Sequence, residues 1–315
     1  MAKPTLHSLE PLAARNIARQ VGYPPARVVH VVASPTKTMF ALVVSEALAQ
    51  RMIVARPETL TPGKRRPAYL GALERGEGLV LLLDPEHADA LFSLVGRPDE
   101  ESGPPAGPPP HLFTDWLLPL AGVVRTWAID LDETDAFRER LLERLADARD
   151  IHVTTPAGTD LRLAPRTWLR WPNPYGEVFT APVEGSAEGV VVVDGVAYSG
   201  RVRRPWTLRV SAGRITNLED LDPADPQQRM ARRDLARDAN ASRVAELGLG
   251  VNPGADPAAD IMEAEQARGT CHIGWGRNVA YGGRQESVFH GDYTLLAPTI
   301  TLDGRPLCRE GQYLL

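Results

Sequence analysis

A chain of 315 residues, 43% of them apolar and 24% charged, is long enough for one large or two ordinary domains, each with its own core. Its 35 basic and 40 acidic residues are spread along the sequence for a net charge of −5, so no sustained cationic stripe is available to a nucleic acid. Two cysteines are too few for a disulfide framework, and neither a cleavable leader nor an unbroken apolar run of about 18 residues is present, so the expectation is a soluble cytoplasmic protein without membrane contact.

In chain order, "ARVVHVVAS" (26–34) is a β-branched run suited to a buried strand, and "TKTMFALVVSEALAQRM" (36–52) carries apolar residues at helical spacing. "GLVLLLD" (78–84) repeats the strand signal, "PEHADALFSLV" (85–95) reads as the helix after it, and "VVRTWAID" (123–130) as a further strand. Residues 97–111, "RPDEESGPPAGPPPH", are too rich in Pro and Gly for a regular element and read as a surface loop. "TDAFRERLLERLADARD" (134–150) is an amphipathic helix with Glu/Arg pairs that closes the first domain. Residues 1–150 are thus expected to form an α/β domain with a parallel sheet.

From residue 151 the texture becomes β. "DIHVTTPAGTDLRL" is two runs joined by Ala-Gly, "GVVVVDGVAYSG" reads as a hairpin with an Asp-Gly turn, and "WTLRVSAGRITNL" and "TITLDGRPLCREGQYLL" as two more hairpins. One helix over about 226–245 interrupts them. The expectation for 151–315 is a mostly antiparallel β (α+β) domain that binds metal.

Within it, "SVFHGDYTLL" (287–296) has strand composition, so His290 and Asp292, two apart, project from one face. With His272 from "GTCHIGWG" they make the two-His, one-carboxylate set that divalent transition metals accept; the same fragment also suits a metal-free His–Asp hydrogen bond. Glu177 follows a Pro-Tyr-Gly turn among apolar residues, and Glu246 precedes a Gly-x-Gly-x-Asn-Pro turn. Each is either an ordinary surface acid or a carboxylate in need of a partner. Elsewhere His30 reads as a core imidazole, His152 as one bonded to backbone, and His7, His87 and His111 as exposed. Trp168, Trp171 and Trp275 either line a pocket or fill the core.

Taken in order, "GEVFTAP", "AELGLGVNP", "EQARGTCHIGWG" and "HGD" resemble the four motifs of the thermophilic leucyl aminopeptidases of the aminopeptidase S and aminopeptidase T type. The resemblance covers roughly residues 150–315 and implies that Glu177, Glu246, His272, His290 and Asp292 hold two divalent cations, Zn, Co or Mn. Val279 stands where that family's active-site tyrosine aligns, and Tyr281, two residues on, is its possible substitute. The His…His-x-Asp subset also resembles the 2,5-dihydroxypyridine ring-cleaving dioxygenases, whose single Fe(II) does not call for the two glutamates.

On this reading the first expectation is a two-metal aminopeptidase acting on a small peptide or amide, and a homodimer by likeness. Tyr281 would donate to the tetrahedral oxyanion or simply pack; Glu265 would orient a ligand, carry a proton or make a surface salt bridge. The second is a mononuclear iron dioxygenase for a hydroxypyridine-like or catecholic substrate. The third is a non-catalytic peptide-binding homologue.

Overall fold

The computed structural model describes residues 5–21, 28–59, 77–84, 112–114, 118–170, 176–198 and 200–315. The expected 85–95 helix and 97–111 loop, with His87, His111, Trp171 and the Pro-Tyr of the turn before Glu177, lie outside them. The chain divides into two compact units, the first formed by Met1–Glu101 and Ala106–Leu131, the second by Ser102–Pro105 and Asp132–Leu315. The amphipathic helix, Leu131–Leu145, therefore lies with the second unit and does not close the first.

In the first unit the β-branched runs form a parallel sheet in the order Val54–Thr59, Val28–Ala33, Gly78–Leu82, Leu112–Thr114. Val29, Val31, Val32 and Leu79–Leu82 are buried, as continuous apolar strands of a covered parallel sheet are. The segment expected as a strand at 123–130 is instead the helix Leu120–Trp127. Val123, Val124 and Trp127 share its buried side, a helical stripe that overrides their β-propensity. Asn16 donates to the carbonyls of Trp127 and Ile129 at 2.7 and 2.9 Å, satisfying groups that the end of that helix leaves unpaired. His30 is buried on its strand, as expected, with Nε2 2.8 Å from Glu77.

The second unit is built from two antiparallel sheets with one shared core. Seven strands run in the order Gly200–Arg201, Val196–Ala197, His290–Leu296, Thr270–Gly276, Val244–Gly250, Glu177–Thr180, Leu169–Arg170. Eight more run Arg214–Ile215, Trp206–Ser211, Glu188–Val193, Asp160–Leu163, Ile151–Thr154, Thr299–Leu302, Arg305–Arg309, Gln312–Tyr313. Leu247, Leu249, Ile273, Trp275, Tyr293 and Leu295 of the first sheet share a core with Val153, Leu161, Val191, Leu208 and Ile300 of the second, which places Trp275 in the core.

Three expectations change here. "GVVVVDGVAYSG" is no hairpin: Glu188–Val193 belongs to the eight-stranded sheet and Val196–Ala197 to the seven-stranded one, so the chain changes sheets at Asp194-Gly195. Gly195 allows it, because a Cβ there would stand 2.2 Å from Thr294 Oγ1 and 2.7 Å from its carbonyl oxygen. The helical insertion is shorter than expected, Pro226–Asp234, capped by Asp225, whose carboxylate accepts from the N–H groups of Gln227 and Gln228. His152 pairs with the Asp160 carboxylate at 2.7 Å instead of with backbone.

Among the described residues no helix is long and apolar enough to cross a membrane. Cys271 and Cys308 are both free and buried.

Candidate metal centre

The donors stand on one face of the seven-stranded sheet, and the register explains how they fit. On successive strands that face carries Glu177 and Phe179; then Glu246, Gly248 and Gly250; then His272, Gly274 and Gly276; then His290, Asp292 and Thr294. Glu246 is thus inside the strand Val244–Gly250 and not beside a turn, and the glycines after it are strand positions. Gly248 is directly opposite His272, and Gly274 lies between Glu246 and Asp292. Directly opposed side chains in a sheet are only about 5 Å apart, so five large donors need empty squares between them. A Cβ on Gly248 would lie 2.1 Å from His272 Nε2, and one on Gly274 2.7 Å from both Asp292 Oδ1 and the Glu246 Cβ. The alternations E-L-G-L-G and H-I-G-W-G are therefore a packing requirement of the site, a signal present in the sequence that periodicity alone does not interpret.

The donors meet as two sets that share Glu246: Glu177, Glu246 and His272 in one, Glu246, His290 and Asp292 in the other, with the ligand atoms of each set within 4.8 Å of one another. His272 Nε2 is 3.1 Å from Glu177 Oε2 and 3.6 Å from Glu246 Oε1. His290 Nε2 is 3.4 Å from Glu246 Oε2 and 3.4 Å from Asp292 Oδ2. Glu177, Glu246 and His272 are buried; His290 and Asp292 are half-buried.

Three carboxylates gathered in this way need positive charge. Burial opposes the charging of His272, but the Glu177 carboxylate, the hydrogen bond to Glu246 and the charge of Asp292 together hold its imidazole up to about 10. Burial likewise opposes the His290 charge, and Asp292 and Glu246 overcome it and hold that imidazole well above its ordinary value. Asp292 is held below the usual carboxylate range, its burial outweighed by the His290 charge. Protons here do the work that a cation would do.

The donor set fits a divalent transition metal. Among the described residues, Asp292 Oδ1 and His272 Nδ1 are buried without a hydrogen-bond partner, and the former points at the clearance left by Gly274. His290 gives its Nδ1 hydrogen to the carbonyl of Arg277 at 2.8 Å, an arrangement that leaves Nε2 as the atom exchanging a proton for a metal.

Two further residues complete the surroundings. Tyr281, in the short helical turn Val279–Tyr281, has its hydroxyl 3.4 Å from His290 Nε2 and its ring edge-on to both His290 and Phe179. Burial and the carboxylates of Glu246 and Asp292 raise its phenol well above its ordinary value. Glu265 follows the short helix Ile261–Ala264 and is buried rather than part of a surface salt bridge. Burial, then the charges of Glu177 and Asp292, raise its carboxyl well above the usual range. The roles of Phe179 and of the Arg277 carbonyl carry no signal in the sequence, since neither residue type is diagnostic.

Comparison with known proteins separates chemistries that this geometry alone does not. The family described as NicX, 2,5-dihydroxypyridine 5,6-dioxygenase, matches residues 132–314, the stretch that contains every donor. A curated 2,5-dihydroxypyridine 5,6-dioxygenase of Pseudomonas putida is 26% identical over 198 residues, 53% of this chain, and the match spans 55% of that protein's length. The solved structure of 2,5-dihydroxypyridine dioxygenase from Pseudomonas putida KT2440 superposes with a TM-score of 0.66 at 18% identity, covering 99% of this chain and 98% of that one. Wild-type AmpT from Thermus thermophilus superposes with a TM-score of 0.60, also at 18% identity, over 98% of this chain and 99% of that one. At such identities the two structures establish the fold alone.

The aminopeptidase expectation is therefore corrected, and with it the assignment as a hydrolase or metallopeptidase: the family match and the curated relative both name a ring-cleaving dioxygenase. AmpT shares the fold of this chain, and a shared fold does not carry a shared chemistry.

Proposed function

Because the chain belongs to the 2,5-dihydroxypyridine 5,6-dioxygenase family, we propose that it is an iron-dependent ring-cleaving dioxygenase acting on a hydroxylated pyridine. The observation that supports this most directly is that the matched stretch, 132–314, carries His272, His290 and Asp292 on one sheet face, with Tyr281 and Glu265 nearby, both raised above their ordinary values.

His272, His290 and Asp292 would hold the ion, with Glu246 between the two imidazoles and Glu177 against His272. When bound, ferrous iron supplies the open-shell centre that lets dioxygen react with a closed-shell aromatic ring. Phe179 and Tyr281, edge-on to each other at 5.3 Å, offer an aromatic wall for a flat heterocycle. The Tyr281 hydroxyl keeps its proton and can donate to a ring oxygen of the substrate. Glu265, its carboxyl raised well above the usual range, is placed to hold a second proton, to donate it to substrate and to receive one back as the ring hydroxyls ionise. The strands that carry Glu246 and His272 are buried along their whole length, while His290 and Asp292 stand at the half-buried side from which a substrate would enter.

The test is reconstitution of the metal-free chain with Fe(II) under anaerobic conditions, followed by oxygen-electrode and mass-spectrometric assays with 2,5-dihydroxypyridine. Stoichiometric oxygen uptake with both atoms of labelled dioxygen in a ring-opened product is expected. An iron-loaded protein that consumes no oxygen with hydroxylated pyridines or catechols would overturn the reading.

A further inference from the structure

The connection from the strand Thr270–Gly276 to the strand His290–Leu296 carries Tyr281 and delivers His290, and one carboxylate outside the donor set ties down its far end. Asp238 lies in the turn after the helix Pro226–Asp234. Its Oδ1 accepts from the N–H groups of Asn240 at 2.7 Å and Ala241 at 2.9 Å, closing its own turn. Its Oδ2 accepts from the Ser287 hydroxyl at 2.8 Å and the Val288 N–H at 2.7 Å, fifty residues away in sequence. Burial works against the charge, but these four donors prevail and hold the carboxyl below its usual range. The neighbours of Asp238 reach the same segment: the Asn240 side-chain amide donates to the Glu286 carbonyl at 2.8 Å, and the Arg237 guanidinium lies 5.8 Å over the Phe289 ring.

Val288 leads directly into the base of the metal site. The Phe289 carbonyl accepts from the Arg277 N–H at 2.7 Å, and the Arg277 carbonyl receives the Nδ1 hydrogen of His290. A displaced Val288 moves Phe289, Phe289 moves the Arg277 peptide, and that peptide sets the direction of the imidazole. We infer that Asp238 is a positioning residue of the metal centre: by fixing Val288 it fixes, through Phe289 and the Arg277 carbonyl, the aim of His290 Nε2. This rests on the reading of His290 as a ligand.

The test uses the full chain and Co(II) alone, which reports affinity by titration and ligand geometry by its visible absorption. Asp238→Asn keeps one carbonyl oxygen for its own turn but sets an NH₂ group against the Val288 N–H, so the tether is lost. The expected result is about tenfold weaker Co(II) binding, the low end of what outer-shell changes do at metal sites, with altered absorption bands. Asp220→Asn, which removes a carboxylate bonded to Arg209 and Asn217 on the other sheet, is expected to change neither. Should Asp238→Asn fail to fold, Ser287→Ala removes one tether bond and leaves the Asp238 turn intact; a smaller loss in the same direction supports the inference. Co(II) affinity and spectrum unchanged from wild type in the folded variant would overturn it while leaving the donor assignment standing. No Co(II) uptake by the wild-type chain would overturn both.

Discussion

His290 gives its Nδ1 hydrogen to the Arg277 carbonyl at 2.8 Å, and that one bond turns its Nε2 toward Glu246 and Asp292. As a ligand, a side chain so oriented could not be replaced by shape alone. His290→Ala is expected to weaken metal uptake by at least the ~100-fold that loss of outer-shell partners can reach, measured as iron per chain by elemental analysis after anaerobic loading. His290→Ala retaining wild-type iron content would remove it from the donor set.

The imidazole of His272 is raised from 6.5 to about 10 in the metal-free protein. A group whose folded value is raised contributes stability that is complete below its unfolded value and is lost as pH rises through the folded one. Metal-free protein should therefore lose stability between about pH 6.5 and about 10, and His272→Gln should lack this share of the slope. Thermal or urea unfolding of both proteins across that range checks it. Because a metal replaces the protons, apparent metal affinity should rise over the same interval.

Gly248→Ala sets a methyl group 2.0 Å from His272 Cε1, and Gly274→Ala sets one 2.7 Å from Asp292 Oδ1. Each forces donors out of place in a packed sheet. The expected cost is about 1–3 kcal/mol of stability, with a loss of metal binding out of proportion to it. Chemical denaturation together with metal titration separates the two; substitutions that lower stability and leave metal affinity intact would show that the glycines serve the fold only.

Burial and the neighbouring carboxylates raise the Glu265 carboxyl well above its usual range, and Glu265→Gln keeps its shape and hydrogen-bonding capacity while removing the titratable proton. Metal content is expected to be unchanged. Turnover should fall by about 100-fold, because an amide cannot return a proton. Tyr281→Phe, which keeps the ring against Phe179, should likewise retain metal and lose turnover, and the pair of assays distinguishes both residues from ligands.

Much of this site was legible in the sequence, because a strand's alternation is local. H-G-D states that its histidine and acid project together, whereas the glycines of V-A-E-L-G-L-G read as a turn and only the strand register places them in the sheet. Only the family resemblance names the five candidate donors together, whereas the antiparallel character of the second unit and the hairpins at 206–215 and 299–309 follow from local patterns. The helix at Leu120–Trp127 did not, since two adjacent valines satisfy a strand as readily as the buried stripe of a helix.

Other features depend on distant partners. The change of sheets at Asp194-Gly195 exists because Thr294 lies against Gly195, and no turn residue announces that neighbour. The sharing of Glu246 between two donor sets, the bond from His290 to the Arg277 carbonyl and the hold of Asp238 on Val288 come from register and loop packing, which local periodicity does not encode. The sequence by itself determined which chemical groups the chain can bring to a metal and that His290 and Asp292 project from one strand face. Only the tertiary structure decided how they converge, because ligand geometry is set by contacts between strands far apart in the chain.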